Sequence, residues 1–129
     1  MPEPVPLHHV RHAELELLPG KVIDEGGDLR VLSGSNHGPR TSVMRSQIPP
    51  GSGPRPHRHP HAEVLVVDDG EVRFDVGGVR IDAESGDMVI VPAEAVHAFT
   101  NTGTTSLRIT AIHENARSVT LFADGSRRD

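Results

Sequence analysis

The stretch that decides the reading of this chain is Gly51-Ser52-Gly53-Pro54-Arg55-Pro56-His57-Arg58-His59-Pro60-His61-Ala62-Glu63, which continues through Val64-Leu65-Val66-Val67 to Gly70. Side chains alternate faces along a strand, so His57 and His59 project to one side, and Glu63 keeps their parity as the chain enters the valine strand. Three groups able to bind a metal therefore converge. Pro54, Pro56 and Pro60 stiffen the loop and reduce the conformational entropy lost when the imidazoles are ordered. A second stretch, Gly86-Asp87-Met88-Val89-Ile90-Val91-Pro92-Ala93-Glu94-Ala95-Val96-His97-Ala98-Phe99-Thr100-Asn101, follows another apolar strand and adds His97. Three neutral imidazoles and one carboxylate form a borderline donor set. It suits one divalent transition metal ion (iron, manganese, zinc, nickel, cobalt or copper) and leaves coordination positions for water or substrate.

Outward from these stretches the chain reads as short β-branched or alternating segments punctuated by Gly, Pro, Asn and Asp. Candidate strands are Lys21 to Asp24, Leu29 to Leu32, Thr41 to Ile48, Glu63 to Val67, Glu71 to Val76, Val79 to Ala83, Asp87 to Val91, His97 to Asn101, Leu107 to Ile112 and Ser118 to Phe122. Asp68-Asp69-Gly70 and Gly77-Gly78 mark two hairpin turns that fix antiparallel neighbours. No stretch of ten or more residues keeps helical periodicity; the segment that admits a short helix is Ala13 to Leu18. The class is all-β, a sandwich or barrel. Pro2, Pro4 and Pro6 block both helix and sheet ladder and predict an extended, mobile N-terminal arm.

Both histidine stretches resemble the two motifs of the cupin superfamily, small jelly-roll β-barrels. Gly51, His57, His59, Glu63 and Gly70 match the first motif, and Gly86, Pro92, His97 and Asn101 the second. Glu94 departs from it, standing where such proteins usually have glycine, and predicts a turn that is either reshaped or held at a cost of about 1 kcal/mol or more. The resemblance implies a single-domain cupin jelly-roll β-barrel over residues 21–122, with the arm at 1–20 and a polar tail at 123–129. It implies that His57, His59, Glu63 and His97 are the metal ligands, that Asn101 closes the second motif structurally, and that the protein is a homodimer. It also implies either a metal-dependent enzyme acting on a small polar molecule, by dioxygenase-type or Lewis-acid lyase or isomerase chemistry, or a non-catalytic module that binds or senses a small molecule or metal.

Other residues compete for roles at the same site. His61 shares the parity of His57 and His59 and is a rival ligand by alternation alone, but the Pro60 bend interrupts that alternation and predicts a position at the rim or behind the ligands. His113 ends the Leu107 to Ile112 strand, where it either faces the cavity or caps the barrel; capping is the commoner fate of a lone histidine. Phe99 shares the parity of His97 and lines the cavity or packs the core. Glu94 is a solvated turn residue or a general base at the cavity mouth. Arg45 points outward if Met44 and Ile48 take the interior; turned inward, it would mark a carboxylate-bearing substrate. His8, His9 and His12 belong to the arm.

Composition removes several alternatives. A net charge of −5 and only three Phe, with no Tyr or Trp, argue against nucleic acid as a partner. Without cysteine there are no disulfides, thiolate metal sites or cysteine nucleophiles. The longest apolar runs, Val64 to Val67 and Met88 to Val91, are far too short to cross a membrane, and no signal-peptide pattern opens the chain. The expectation is a cytoplasmic protein whose partners are a small-molecule ligand or substrate and a second copy of itself.

Overall fold

The computed structural model describes residues 9–17 and 28–128. The strands are β1 (Glu16–Leu17), β2 (Asp28–Leu32), β3 (Ser42–Ile48), β4 (His57–Arg58), β5 (Glu63–Asp69), β6 (Glu71–Val76), β7 (Val79–Glu84), β8 (Met88–Val91), β9 (His97–Asn101), β10 (Leu107–His113), β11 (Thr120–Phe122) and β12 (Arg127–Arg128). They form two six-stranded sheets, ordered β1-β2-β3-β10-β5-β8 and β12-β11-β4-β9-β6-β7. Every pairing among them is antiparallel. This is the all-β jelly-roll architecture expected of the chain.

Alternation decides which residues meet inside. Met44 and Ile48 of β3, Leu65 and Val67 of β5, and Leu107, Ile109 and Ala111 of β10 are buried from one sheet. They share one core with Val72 and Phe74 of β6 and Phe99 of β9 from the other. Burying such side chains supplies about 1.5–3 kcal/mol each and sets the register, because a one-residue slip would turn each strand's apolar set to solvent. The Gly77-Gly78 hairpin has φ of 54° and 85° at its two turn residues, a conformation that matches the strand twist and that side chains disfavour.

Several elements lay outside the sequence reading. The stretch that admitted a helix forms a 3-10 turn at His12–Glu14, and Glu16–Leu17 then pairs with β2 at the edge of the first sheet. A one-turn helix, α1 (Gly34–His37), stands in the loop before β3 and ends at Gly38 with φ 103°. After β11 the chain turns back so that Arg127 pairs with Leu121. The predicted strand Lys21 to Asp24 and His8 lie outside the described residues. Among those described, no helix is long and apolar enough to cross a membrane.

Candidate metal centre

Strand register brings the predicted ligands together from both sheets. His57 on β4 is the cross-strand partner of His97 on β9, and their rings lie 4.2 Å apart. β4 is in turn held by β11, where Phe122 faces His57. Glu63 opens β5 in the opposite sheet, between Val91 of β8 and His113 of β10. His59 follows β4, its ring 5.1 Å from that of His97. All four predicted residues are buried, and all four line one cavity.

The tautomers follow from the partners. Nδ1 of His57 lies 2.7 Å from the Arg55 carbonyl, Nδ1 of His59 2.7 Å from that of Val119, and Nδ1 of His97 2.9 Å from that of Ala95. A carbonyl only accepts, so each Nδ1 carries a proton, and a ring with that one proton presents Nε2 as a lone pair. Oε1 of Glu63 sits 2.9 Å from Nε2 of His97 and 3.4 Å from Nε2 of His59. These contacts are close without being directed as hydrogen bonds: all three atoms are buried and without a partner. Lone pairs on nitrogen and a carboxylate oxygen repel at such distances unless a positive charge, a proton or a metal ion, lies among them. Second groups that fix the ring tautomer and orientation are also what metal-binding histidines require. His57, His59 and His97 offer ligand atoms within 4.8 Å of one another.

Burial, followed by the neighbouring His97, pushes His57 down to about 3, and burial pushes His113 down to about 4. Both rings are neutral at ordinary pH. Burial pushes Glu63 up, while proton donation from the His59 and His97 rings, with His113 beside them, holds its carboxyl below the usual carboxylate range. With the Nδ1 protons engaged by carbonyls, that hold requires a positive charge, a proton or an ion, among the Nε2 atoms.

His113 does not cap the barrel. It is 1% exposed, lines the cavity, and places Nε2 3.3 Å from Oε2 of Glu63, with neither ring nitrogen hydrogen-bonded. The signal was present in the sequence: Leu107, Ile109, Ala111 and His113 share one parity, and the first three are core residues. His61 stands behind the ligands, its ring stacked on His59 at 5.2 Å. Its Nε2 accepts from the Val119 N–H at 3.3 Å and its Nδ1 faces the Ala62 carbonyl at 3.4 Å. His59, His61 and His113 also approach as a triad, but with both His61 nitrogens engaged this second grouping is a poorer cradle for an ion.

The remaining candidates resolve as follows. Glu94 has φ 69°, the one non-glycine residue in the left-handed region among those described. It is held there by its N–H to the His59 carbonyl at 2.7 Å and by its carboxylate, which accepts from Arg58 at 3.0 Å. So engaged, it is not aimed at the cavity as a base. Arg45 points out of the barrel toward His12, at 3.4 Å, while Met44 and Ser46 take the interior. Phe99 lines the cavity and packs on Phe74. Asn101 donates to the carbonyls of Ile48 and Thr105 and accepts from Gly103, so its side chain closes the second motif. The cavity measures about 40 Å³.

A family model described as the cupin domain matches residues 44–113. Among solved structures, the chain is similar to a variant of Bacillus subtilis oxalate decarboxylase at 20% identity and TM-score 0.78, over 89% of this chain and 32% of that one. It is similar to Lactobacillus farciminis oxalate decarboxylase in a formate complex at 18% and 0.76, over 87% and 34%. A Thermotoga maritima protein described as a predicted oxalate decarboxylase matches at 24% and 0.72, over 82% of this chain and 97% of that one. The chain thus spans about a third of the first two proteins' length, and at these identities the likeness concerns the fold. No curated protein matches.

Proposed function

Because this chain belongs to the cupin family, with the domain matched over residues 44–113, we propose that it is a metal-dependent enzyme acting on a small molecule. His57, His59, Glu63 and His97 are its ligands. The observation that carries this reading is the convergence of three imidazoles, each with Nδ1 held by a carbonyl, on one buried site where Nε2 of His59, Nε2 of His97 and Oε1 of Glu63 lie close together without a hydrogen-bond partner. A bound divalent transition ion supplies Lewis acidity or, for iron or copper, redox chemistry. The chain's own residues do the rest. Carbonyls of Arg55, Ala95 and Val119 orient the imidazoles, Glu63 contributes charge through Oε1, and His113 faces Oε2 from across the strand pair. The apolar walls exclude water and strengthen the electrostatics inside.

The structurally similar oxalate decarboxylases share the fold. The test of the metal reading is elemental analysis of tag-free protein beside the His59→Ala and Glu63→Ala variants. One ion per chain, lost in both variants, is expected. No metal above background in the unaltered protein overturns the assignment and favours a module that binds its small molecule without an ion. A second copy is proposed to cover the outer face of the first sheet, where Met88 and Ile90 are 68% and 71% exposed beside Val66 and Val64.

A further inference from the structure

Resting on the metal reading above, the composition of the cavity wall narrows what the site accepts. Beyond the ligands, the wall is built from Leu29, Met44, Leu65, Phe99, Ile109 and Ala111, all buried and apolar. The polar groups among its lining residues are the hydroxyls of Ser46 and Thr120 and the His113 ring, whose Nε2 lies 3.3 Å from Oε2 of Glu63. No arginine or lysine lines it among the described residues. The guanidinium groups nearest the ligands in sequence are committed elsewhere: Arg55 donates to Asp124 at 2.8 Å and stacks over Phe122, and Arg58 donates to Glu94 at 3.0 Å. Arg45 leaves by the opposite face of β3, and Arg30 donates to the carbonyls of Ala13 and Leu15.

A carboxylate moved into such surroundings without a cationic partner loses its hydration and gains nothing in exchange. One anionic or oxygen-bearing head can be satisfied, because the ion meets it. A second charge on the same small molecule would lie against leucine, methionine and phenylalanine. We infer that the substrate is a small molecule with a single metal-binding head and an apolar remainder, a monoanion at most, and that dicarboxylates are discriminated against.

Butyrate and succinate form the matched probe pair, since they differ by exchange of a terminal methyl for a carboxylate. Protein loaded with cobalt(II) is titrated with each at pH 7.5, and binding is read from the visible cobalt absorption bands. The same bands report, before any ligand is added, that the ion occupies a protein site. Butyrate is expected to saturate with a dissociation constant about tenfold or more below that of succinate. Equal or tighter succinate binding overturns the inference while leaving the metal reading intact, and so does an absorption spectrum that neither acid changes. Absence of protein-bound cobalt bands overturns both. Leu65→Asn, which adds a polar group to the wall, should narrow the gap between the two acids; an unchanged ratio in a folded variant also counts against the inference.

Discussion

Replacing Asn101 by leucine is the sharpest test of how the two motifs are joined. The Asn101 amide donates to the Ile48 carbonyl at 2.9 Å and to the Thr105 carbonyl at 2.8 Å, and its oxygen accepts from the Gly103 N–H at 2.9 Å. The residue is 1% exposed and its bond to Ile48 is buried, while those to Thr105 and Gly103 are partly buried, so water can replace the set only in part. Its backbone also ties the motifs together, accepting from Gly51 and donating to Ser52. Leucine keeps the branching pattern, though it is bulkier, and removes the partner of three backbone groups, at about 1.5 kcal/mol each. The added apolar burial offsets about 1.5 kcal/mol of this, so the net loss is about 3 kcal/mol. For a domain of this size that corresponds to a fall in Tm of about 11 °C. Thermal and urea unfolding followed by circular dichroism measure it. Asn101→Asp should show a loss that shrinks on acidification, as the buried carboxyl takes up a proton and regains one donor. A loss under about 1 kcal/mol for Asn101→Leu would refute the role given to this side chain.

Further outcomes follow from the same geometry. His57 and His113 titrate at about 3 and about 4 in the fold against 6.5 when free. The unfolded chain therefore binds the extra protons, and stability present above pH 6.5 is lost as pH falls toward 4, at about 2 kcal/mol per unit. Urea midpoints of metal-free protein at pH 7, 6 and 5 check this, and a flat profile contradicts it. Manganese or zinc at about a hundred times its dissociation constant should stabilise the fold by about 2.7 kcal/mol, raising Tm by about 10 °C, and Glu63→Ala should abolish the shift in a melting assay. Glu94→Gly should change stability by less than about 1 kcal/mol, because relief at φ 69° is offset by a floppier unfolded chain and loss of the exposed Arg58 contact. Ile90→Lys should convert dimers to monomers in light scattering; an unaltered mass moves the interface elsewhere.

Strand parity made the inward faces legible, because burial of Met44, Leu65 and Ile109 enforces a period of two. It also related His57 to His59, whereas Glu63 opens a strand of the opposite sheet and meets them through the topology. It did not reveal β4, whose two residues owe their strand conformation to β9 and β11 on either side. Nor could it reveal that Val119 supplies the acceptor for His59, a contact across 60 positions that only the folded topology creates. His113 was readable but was weighed as an isolated histidine, although its parity with Ile109 and Ala111 already pointed inward. Glu94 shows another limit: its departure from glycine left open whether the turn is reshaped or strained, and the structure keeps it left-handed at φ 69°, held by bonds to His59 and Arg58.

The Val119 peptide has a consequence for the order in which this protein matures. One peptide unit serves two rings, its carbonyl receiving His59 and its N–H reaching His61, and it lies beyond the last residue of the matched domain. Synthesis runs from the N-terminus, so both histidine stretches leave the ribosome well before residue 119 does. Until then the His59 ring has only water to hold its Nδ1 proton, and either nitrogen can face an ion. Metal captured at that stage would meet a rotating ligand, whereas metal arriving after β11 has zipped onto β4 meets a fixed one. On the proposed metal reading, a fixed His59 ligand would thus require β11 to be docked on β4.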